Sequence, residues 1–439
     1  MEQITFTELE KFNRTYNDNP NNKIVENAIK HIGIDKFCLD QNVINKTYNV
    51  FNIELPKSKI YDQVESERCW IHAGVNLIKN NVAQNLSVEE SEYALSVNYL
   101  AFLDKLEKSN SLYNEIINND NFDLAKELPK KYLDEPVYEG GYFAYFRALV
   151  NKYGLVPEHV MPDVAMSKRS SQLTRLFRDK VKKDLYKLLE AKAKGTSKES
   201  LHTVKENMLS DNYGILAKCL GELPMKFDYE YRNRDGKCIK LTGLTPKTFA
   251  QKYLTIDLNN LVTIANVPMY NKEYGRLYWK KHTENIYKHS AVKFLNMPID
   301  VLKNLAIKHL KDGTPVYFGC EMKKMRDNDL GIMDSNLYNY RDVFGIDLLT
   351  KEEALSMRDI AFQHVMLITG VHIENDKPIR WKVEDSYGDK VHREGYYIMN
   401  DNFFDDFVIE VIIDKKYLLS EQLRLLDQEP IRFEADEPV

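Results

Sequence analysis

The chain has 439 residues, of which 43% are hydrophobic and 29% are charged, so it can form one large domain or two of ordinary size. Its formal net charge of −5 supplies no overall positive field, and we expect no nucleic-acid partner. There is no apolar run approaching about 18 residues and no basic, apolar leader at the N-terminus, which predicts neither a membrane span nor a secretory signal.

The five cysteines are widely scattered and form no CxxC motif, which argues against a zinc ribbon and against a disulfide framework. They are Cys38, Cys69, Cys219, Cys238 and Cys320. A reducing cytoplasm is the simplest setting for such a chain, because a free thiolate survives there.

The first 55 residues are predicted to form an α-rich arm with Asn-rich connections. A helix is then predicted from residue 69 to about residue 80, since its apolar or small positions have the spacing of a buried helix face. These positions are Trp70, Ala73, Gly74, Leu77 and Ile78. A second helical stretch is predicted over residues 87–106.

The strongest functional signal lies at the start of the first of these helices. Cys69 comes one residue before the apolar stripe, where free backbone N–H groups and the positive end of the helix dipole favour a thiolate. Six residues upstream, Gln63 offers an amide that could donate a hydrogen bond to a developing oxyanion. A nucleophile and a donor this close together indicate acyl transfer, and the alternative is a buried structural cysteine.

A Glu-Gly-Gly turn at residues 139–141 leads into a helix predicted over residues 142–152, which Gly154 closes. From Ser167 a long basic, amphipathic helix follows and ends at Gly195; we expect its Lys and Arg side chains to face water. Residues 244–268 are predicted to mix a short helix with extended segments.

Strands dominate after Gly313. Short strands are predicted at residues 315–319, 364–371, 380–384, 396–399 and 407–413. Helices early and strands late predict an α+β chain, with Cys69 on the helical side and His364 on the sheet side.

A cysteine nucleophile needs a base and a third group that orients the base. His364 opens a strongly apolar strand and Asp385 follows the next strand, so two adjacent antiparallel strands would bring them together. The alternatives are a core histidine at position 364 and a turn aspartate at position 385. His72 lies three residues after Cys69 on the same helix, so it points along the helix and away from a cleft.

Several of these segments together resemble the active-site blocks of bleomycin hydrolase and bacterial aminopeptidase C, a family of papain-like cysteine peptidases. The blocks are Gln63, residues 68–70 (Arg-Cys-Trp), residues 363–366 (Gln-His-Val-Met) and residues 383–388 (Val-Glu-Asp-Ser-Tyr-Gly). Further matches occur in the family's order at residues 139–141, 152–157, 160–162, 315–320 and 369–371. The resemblance covers essentially the full chain and weakens around residues 200–290.

The resemblance implies a papain-like α+β fold: a helical N-terminal half with the catalytic cysteine at a helix start, an antiparallel β-rich C-terminal half, and large helical insertions. It implies that Cys69 is the nucleophile and His364 the base, and later the acid. Gln63 would be the oxyanion donor, together with the Cys69 backbone N–H. Asp385 would hold the His364 ring, and Trp70 would pack beneath the site.

Three positions depart from the family's usual pattern. Asp385 replaces an asparagine, Tyr387 replaces a tryptophan, and Glu67 replaces a glycine. An aspartate still orients an imidazole and favours the imidazolium, as in serine triads, but it also competes with the thiolate for the positive charge. We therefore expect an altered pH dependence more than inactivity.

In relatives the C-terminal arm lies in the cleft and blocks its nonprimed side. Residues 429–439 resemble that arm in placement, although their final residues differ from the usual ending. We expect the Val439 carboxylate, or Asp436 and Glu437, to pair with the α-ammonium group of a substrate. The alternative is a solvated acidic tail.

These inferences divide the chain into five parts. They are an N-terminal arm (1–55), a helical subdomain with Cys69 (56–165), a helical insertion (166–310), a β-rich subdomain with His364 and Asp385 (311–426), and a C-terminal arm (427–439). The resemblance implies a cytoplasmic thiol aminopeptidase that acts on peptides with free N-termini through an acyl-enzyme, as a homohexamer and without metal or organic cofactor. The alternatives are an endopeptidase with an open cleft, or a catalytically weak scaffold or binding protein.

Overall fold

The computed structural model describes residues 3–119, 133–289, 291–434 and 437. Helices along these segments span Phe6–Asn17, Asn21–Ile32, Ile34–Cys38, Gln41–Lys46, Cys69–Leu86, Val97–Asn118, Phe143–Tyr153, Ala165–Lys168, Ser171–Ala193, Lys198–Leu220, Pro246–Tyr253, Ile299–Lys311, Tyr340–Phe344, Lys351–Ser356, Asp401–Phe407 and Ser420–Leu425. Among the residues described, no helix combines the length and the apolar character needed to cross a membrane.

The strands are concentrated in the second half of the chain. They are β1 (Ile53–Glu54), β2 (Phe227–Arg232), β3 (Cys238–Leu244), β4 (Leu261–Ala265), β5 (Arg276–Lys280), β6 (Val292–Asn296), β7 (Val316–Cys320), β8 (Arg326–Asp327), β9 (Ile332–Met333), β10 (His364–Glu374), β11 (Lys377–Glu384), β12 (Tyr396–Asn400), β13 (Val408–Asp414) and β14 (Ile431–Phe433). All five strands predicted after Gly313 are confirmed, as β7, β10, β11, β12 and β13.

One large sheet organises the C-terminal half, with the strand order β14-β5-β6-β4-β13-β7-β10-β11-β12-β9-β8 and with β1 added beside β10. The central pairings of β7, β10, β11, β12 and β13 are antiparallel. Leu367 of β10 pairs with Glu384 of β11, so the residue after β11 emerges beside the start of β10. The predicted adjacency of these two strands is confirmed.

Side chains alternate between the two faces of this sheet, as the two-residue period of a strand requires. Tyr317 and Leu367 join the core that contains the Cys69–Leu86 helix, whereas Phe318 and Met366 join the core on the opposite face. The Cys69–Leu86 helix therefore packs directly against the sheet and fixes Cys69 relative to the strands.

The two helices predicted around Cys69 exist, but their bounds differ from the prediction. The first continues past residue 80 to Leu86 and ends at Ser87, which has a left-handed φ of 56°. Polar residues at 80, 81, 84 and 85 concealed the apolar face, which Val82, Ala83 and Leu86 continue. The second begins at Val97 and not at residue 87, because the Ser96 side chain caps it by accepting from the Tyr99 N–H.

Residues 166–310, which we expected to be a helical insertion, contain strands as well as helices. The helices Ser171–Ala193 and Lys198–Leu220 are followed by the β2–β3 hairpin, and β4, β5 and β6 then join the large sheet. Burial does not alternate from residue to residue along these last three strands, so they lack the two-residue period that predicts a strand.

Candidate active site

Cys69 is the first residue of its helix, and Arg68 is the N-cap residue, whose side chain makes no capping hydrogen bond. The Arg68 guanidinium instead lies 2.9 Å from Asp163 Oδ1 and donates from Nε to Ser66 Oγ over 3.1 Å. Arg68 is buried, so this ion pair fixes the backbone immediately before the thiol. The first-turn N–H groups and the helix dipole then act at Cys69 without competition from a capping side chain.

His364 is the first residue of β10 and points toward Asp385, which follows β11. Its Nε2 lies 2.8 Å from Asp385 Oδ1, and both residues are buried. Burial alone would lower the pKa of His364, but the charges of Asp385 and Cys69 and hydrogen bonds to both side chains raise that pKa well above its usual value. The arrangement therefore favours the imidazolium form of His364 beside the Cys69 side chain.

Asp385 is held by more than one donor. The Ser386 N–H donates to Oδ1 over 2.8 Å, and Oδ2 lies 3.3 Å from Nε2 of His392. Burial would raise the pKa of Asp385, yet the charge of His364 and the hydrogen bonds from His364, His392 and Ser386 lower it below its usual value. Asp385 is therefore an ionised carboxylate that is fixed from three sides.

Gln63 lies at the seam between the helical and sheet sides of the molecule. Its backbone N–H donates to the Ser386 carbonyl over 2.7 Å, and its side-chain oxygen accepts from Ser386 Oγ over 3.2 Å. The Gly388 N–H donates to the Tyr61 carbonyl over 2.9 Å and closes the same seam. Because the Gln63 oxygen faces Ser386, the amide nitrogen is the end of this side chain that can act as a donor elsewhere.

A cavity of about 450 Å³ brings four of these groups together, since Gln63, Cys69, His364 and Tyr387 all line it. Tyr387 is 38% exposed, and its ring stacks on that of His364 at 5.9 Å between centroids. Charged side chains also line the cavity: Glu67, Glu135, Lys323 and Arg326. A larger cavity of about 700 Å³ lies elsewhere, beside Trp279, and contains none of the groups at this site.

Trp70 supports this cavity from below. It is completely buried, and its Nε1 donates to the Glu139 carbonyl over 2.7 Å. Gly141 packs so closely on the indole that an added Cβ would lie 2.6 Å from it. Because no part of Trp70 is exposed, it cannot contact a bound peptide directly. We had expected a substrate-binding role for Trp70; the structure instead has it supporting Gly140 and Gly141, which line the cleft.

The sequence matches the model of the Peptidase C1-like family over residues 3–439. The chain belongs to this family. It is 33% identical to Aminopeptidase C of Listeria monocytogenes over 438 residues, which cover 100% of this chain and 98% of that protein. It is 35% identical to Aminopeptidase E of Lactobacillus helveticus, with 97% of this chain and 96% of that protein covered.

A solved structure supports the same assignment. The crystal structure of PepW from Lactobacillus rhamnosis matches with a TM-score of 0.96 and 34% sequence identity, covering 100% of this chain and 98% of that one. The predicted papain-like α+β fold and the predicted class of enzyme, a cysteine-type aminopeptidase, are confirmed.

Of the arm residues expected to bind the substrate, only Glu437 lies among the described residues, whereas Asp436 and Val439 lie outside them. Glu437 is engaged in an ion pair with Lys272, at 2.6 Å between Oε2 and Nζ. The preceding strand β14 pairs with β5 in parallel, and Phe433 is buried. The arm is thus anchored to the edge of the sheet, and Glu437 is not among the residues that line the cleft.

Sequence reasoning missed two groups of residues at this site. One is His392, which lies in the loop between β11 and β12 with a left-handed φ of 54° and carries no local pattern that indicates a contact with Asp385. The other is a set of buried charges beneath Trp70, formed by Asp104, Lys105, Lys108 and Glu139. The first three lie on a helix whose sequence resembles any polar helix face, so only the tertiary packing reveals their burial.

Proposed function

We propose that this chain releases N-terminal amino acids from peptides through a thiol acyl-enzyme, with Cys69, His364, Asp385 and Gln63 as the catalytic groups. The observation that carries the proposal is the His364 ring, bonded to Asp385 at 2.8 Å and interacting with Cys69 at the helix start. A nucleophile, a base and a group that orients the base are the parts that nucleophilic catalysis requires.

In the proposed acylation step, the Cys69 thiolate attacks the carbonyl carbon of the first peptide bond. The developing oxyanion accepts hydrogen bonds from the Gln63 amide and the Cys69 backbone N–H. The His364 imidazolium then gives its proton to the leaving amine, and the C–N bond breaks. The products of this step are the shortened peptide and a thioester on Cys69.

Deacylation uses the same groups in the opposite sense. Neutral His364 takes a proton from a water molecule, whose oxygen attacks the thioester carbonyl. The thiolate leaves, the amino acid is released, and the imidazolium is restored. Asp385 stays ionised throughout and orients the ring, as the carboxylate does in serine triads.

The preference for free N-termini is proposed to come from the C-terminal arm. This proposal is supported by the pairing of residues 431–433 with β5 and by the Glu437–Lys272 ion pair, which anchor the arm to the sheet edge. The Asp436 or Val439 carboxylate would pair on the nonprimed side with the α-ammonium group of the peptide. Because Glu437 is engaged by Lys272, we assign it the role of an anchor.

A homo-oligomer, a hexamer by resemblance, is part of the proposal. The helices Phe6–Asn17 and Asn21–Ile32 contain no buried residue, and their exposed apolar side chains include Phe6 (77%) and Ile24 (68%). Exposed apolar patches of this kind mark interaction surfaces. A cytoplasmic location is supported by the free state of all five cysteines.

The test is hydrolysis of aminoacyl-coumarin amides with free and N-acetylated amines, beside a Cys69→Ala control. We expect turnover of the free-amine substrates only, with complete loss in the control. Turnover of the acetylated substrates would indicate an endopeptidase with an open cleft. The absence of Cys69-dependent turnover across substrates and pH values would favour a catalytically weak scaffold.

A further inference from the structure

The Asp385 carboxylate contacts two histidines, one on each oxygen. Oδ1 lies 2.8 Å from Nε2 of His364, and Oδ2 lies 3.3 Å from Nε2 of His392. His392 belongs to a loop, yet only 6% of its side chain is exposed, and the Asp385 side chain has no exposure at all. Apart from this 3.3 Å ion-pair contact, neither Oδ2 nor His392 Nε2 has a polar partner within the described part of the chain, so each atom is the nearest polar counterpart of the other.

The second nitrogen of the His392 ring fixes its protonation. Nδ1 lies 3.0 Å from the backbone oxygen of Asn328. A carbonyl oxygen only accepts, so Nδ1 must carry a proton to bond there. Nε2 faces a carboxylate oxygen, which also only accepts. An imidazole with acceptors at both nitrogens is satisfied at both only as the imidazolium.

The other groups around His392 do not outweigh this contact. The ring packs on Tyr397 at 4.0 Å between centroids, and the Arg326 guanidinium lies 2.8 Å from the Tyr397 hydroxyl. Arg326 opposes a charge on His392, but it reaches the far end of the tyrosine, whereas Asp385 touches the ring directly. The two charged residues that follow His392 in sequence have other partners: Arg393 donates to the Leu330 carbonyl, and Glu394 pairs with Lys57.

We propose that His392 is a positioning residue which holds Asp385 and, as an imidazolium, offsets its charge. The Asp385–His392 pair then has no net charge, like the asparagine that the resembled family usually carries at position 385. His364 is oriented by a carboxylate, while the Cys69 thiolate avoids the full repulsion of an uncompensated negative charge. This inference rests on the proposed function, because it assigns His392 a role through the proposed catalytic groups.

The test compares His392→Gln with His372→Gln. His372 is a matched control because it lies on β10 and pairs with the carboxylate of Glu374 at 2.9 Å. The measurement is the rate at which iodoacetamide alkylates Cys69 as a function of pH, followed by mass spectrometry of the Cys69 peptide. We expect His392→Gln to raise the pH midpoint of alkylation by about one unit, since the uncompensated Asp385 charge disfavours the thiolate. His372→Gln should leave the midpoint unchanged.

A double-mutant cycle isolates the contact. In an Asp385→Asn background, His392→Gln should not raise the midpoint, because the His392 ring has lost the carboxylate that holds it as an imidazolium and no longer carries a charge to remove. An unchanged midpoint in His392→Gln alone, or an equal upward shift in both backgrounds, would overturn the proposal. Alkylation does not require turnover, so these outcomes judge the role of His392 whether or not the chain hydrolyses aminoacyl amides.

A second measurement uses only the wild-type protein, so it does not depend on whether a variant folds. The ¹⁵N shifts of the His392 ring in the wild-type protein at pH 7 report which nitrogens carry protons. We expect both nitrogens to be protonated. A neutral ring at pH 7 would overturn the charge-offset proposal.

Discussion

The two walls of the cleft are stabilised in different ways. The helical wall, with Cys69, Trp70 and the Gly140–Gly141 loop, rests on buried charges, because Glu139 accepts from Lys105 at 3.0 Å while its carbonyl accepts from Trp70. The sheet wall, with His364 and Asp385, rests on the backbone pairing of β10 with β11. Because backbone hydrogen bonds hold the sheet wall together, its side chains are not needed for that purpose. In the helical wall, by contrast, charged side chains pair with one another and stabilise the structure.

The largest effect should come from replacing His364, the proposed base on the sheet wall. We expect His364→Ala to lower kcat/KM at least about a thousandfold, because the thiolate loses the group that forms it and protonates the leaving amine. The coumarin-amide assay measures this change. His372→Ala on the same strand is the control and should stay within about twofold; equal losses in both variants would contradict a specific role for His364.

Removing one of the buried charges of the helical wall should lower the stability of the protein. Lys105→Met leaves the Glu139 carboxylate buried without its cation, and we expect the free energy of unfolding to fall by about 3 to 5 kcal/mol. Urea denaturation of the purified protein measures this change. The control is Lys240→Met, whose pair with Glu230 spans 4.0 Å between side chains that are 62% and 67% exposed and should contribute about 0 to 1 kcal/mol. A similar loss in both variants would contradict the proposed support.

The sequence predicted these two walls unequally. Cys69, His364 and Asp385 were found because a helix start and two strand ends have recognisable patterns, and the strand register then places them together. Burial of Lys105 was not predictable, since a lysine on a polar helix face has the same local sequence whether it meets water or Glu139. Contacts such as that of His392 depend on a loop conformation that no periodic pattern encodes.

The two walls should also differ, by a smaller amount, in how their contributions to stability depend on pH. Burial opposes the Glu139 charge, but Lys105 and the hydrogen bonds from Ser170, Lys105 and the Glu67 N–H lower the pKa of Glu139 from 4.5 to about 2. Its contribution to stability is therefore complete above about pH 4.5 and is lost as the pH falls toward 2. His364 has the opposite sign: its raised pKa gives a contribution that is complete below about pH 6.5 and is lost as the pH rises through the folded-state value.

Urea unfolding at several pH values between about 2 and 5 tests the acid part of this contrast. The wild-type protein should lose up to about 3 kcal/mol more over this interval than Glu139→Gln, because the amide has no proton to gain. The quantity compared is the slope of the unfolding free energy against pH. The unfolding free energy itself is not compared, because the substitution also lowers it. Parallel slopes in the two proteins would show that other carboxyl groups account for the acid response.

The smallest change tests where the helical wall meets the cleft. Gly140 and Gly141 are adjacent, but a Cβ on Gly141 would lie 2.6 Å from the buried Trp70 indole, whereas a Cβ on Gly140 would lie 3.3 Å from the Tyr138 ring. We expect Gly141→Ala to cost about 1 to 3 kcal/mol of stability, because the completely buried indole has no room to yield. The loop that lines the cleft would shift with it, so kcat/KM should fall as well.

Gly140→Ala is the matched control and should have little effect on either quantity, since the half-buried Tyr138 ring can move aside. Urea unfolding and the coumarin-amide assay on both variants measure the difference, and equal losses would mean that the indole does not set the position of this loop.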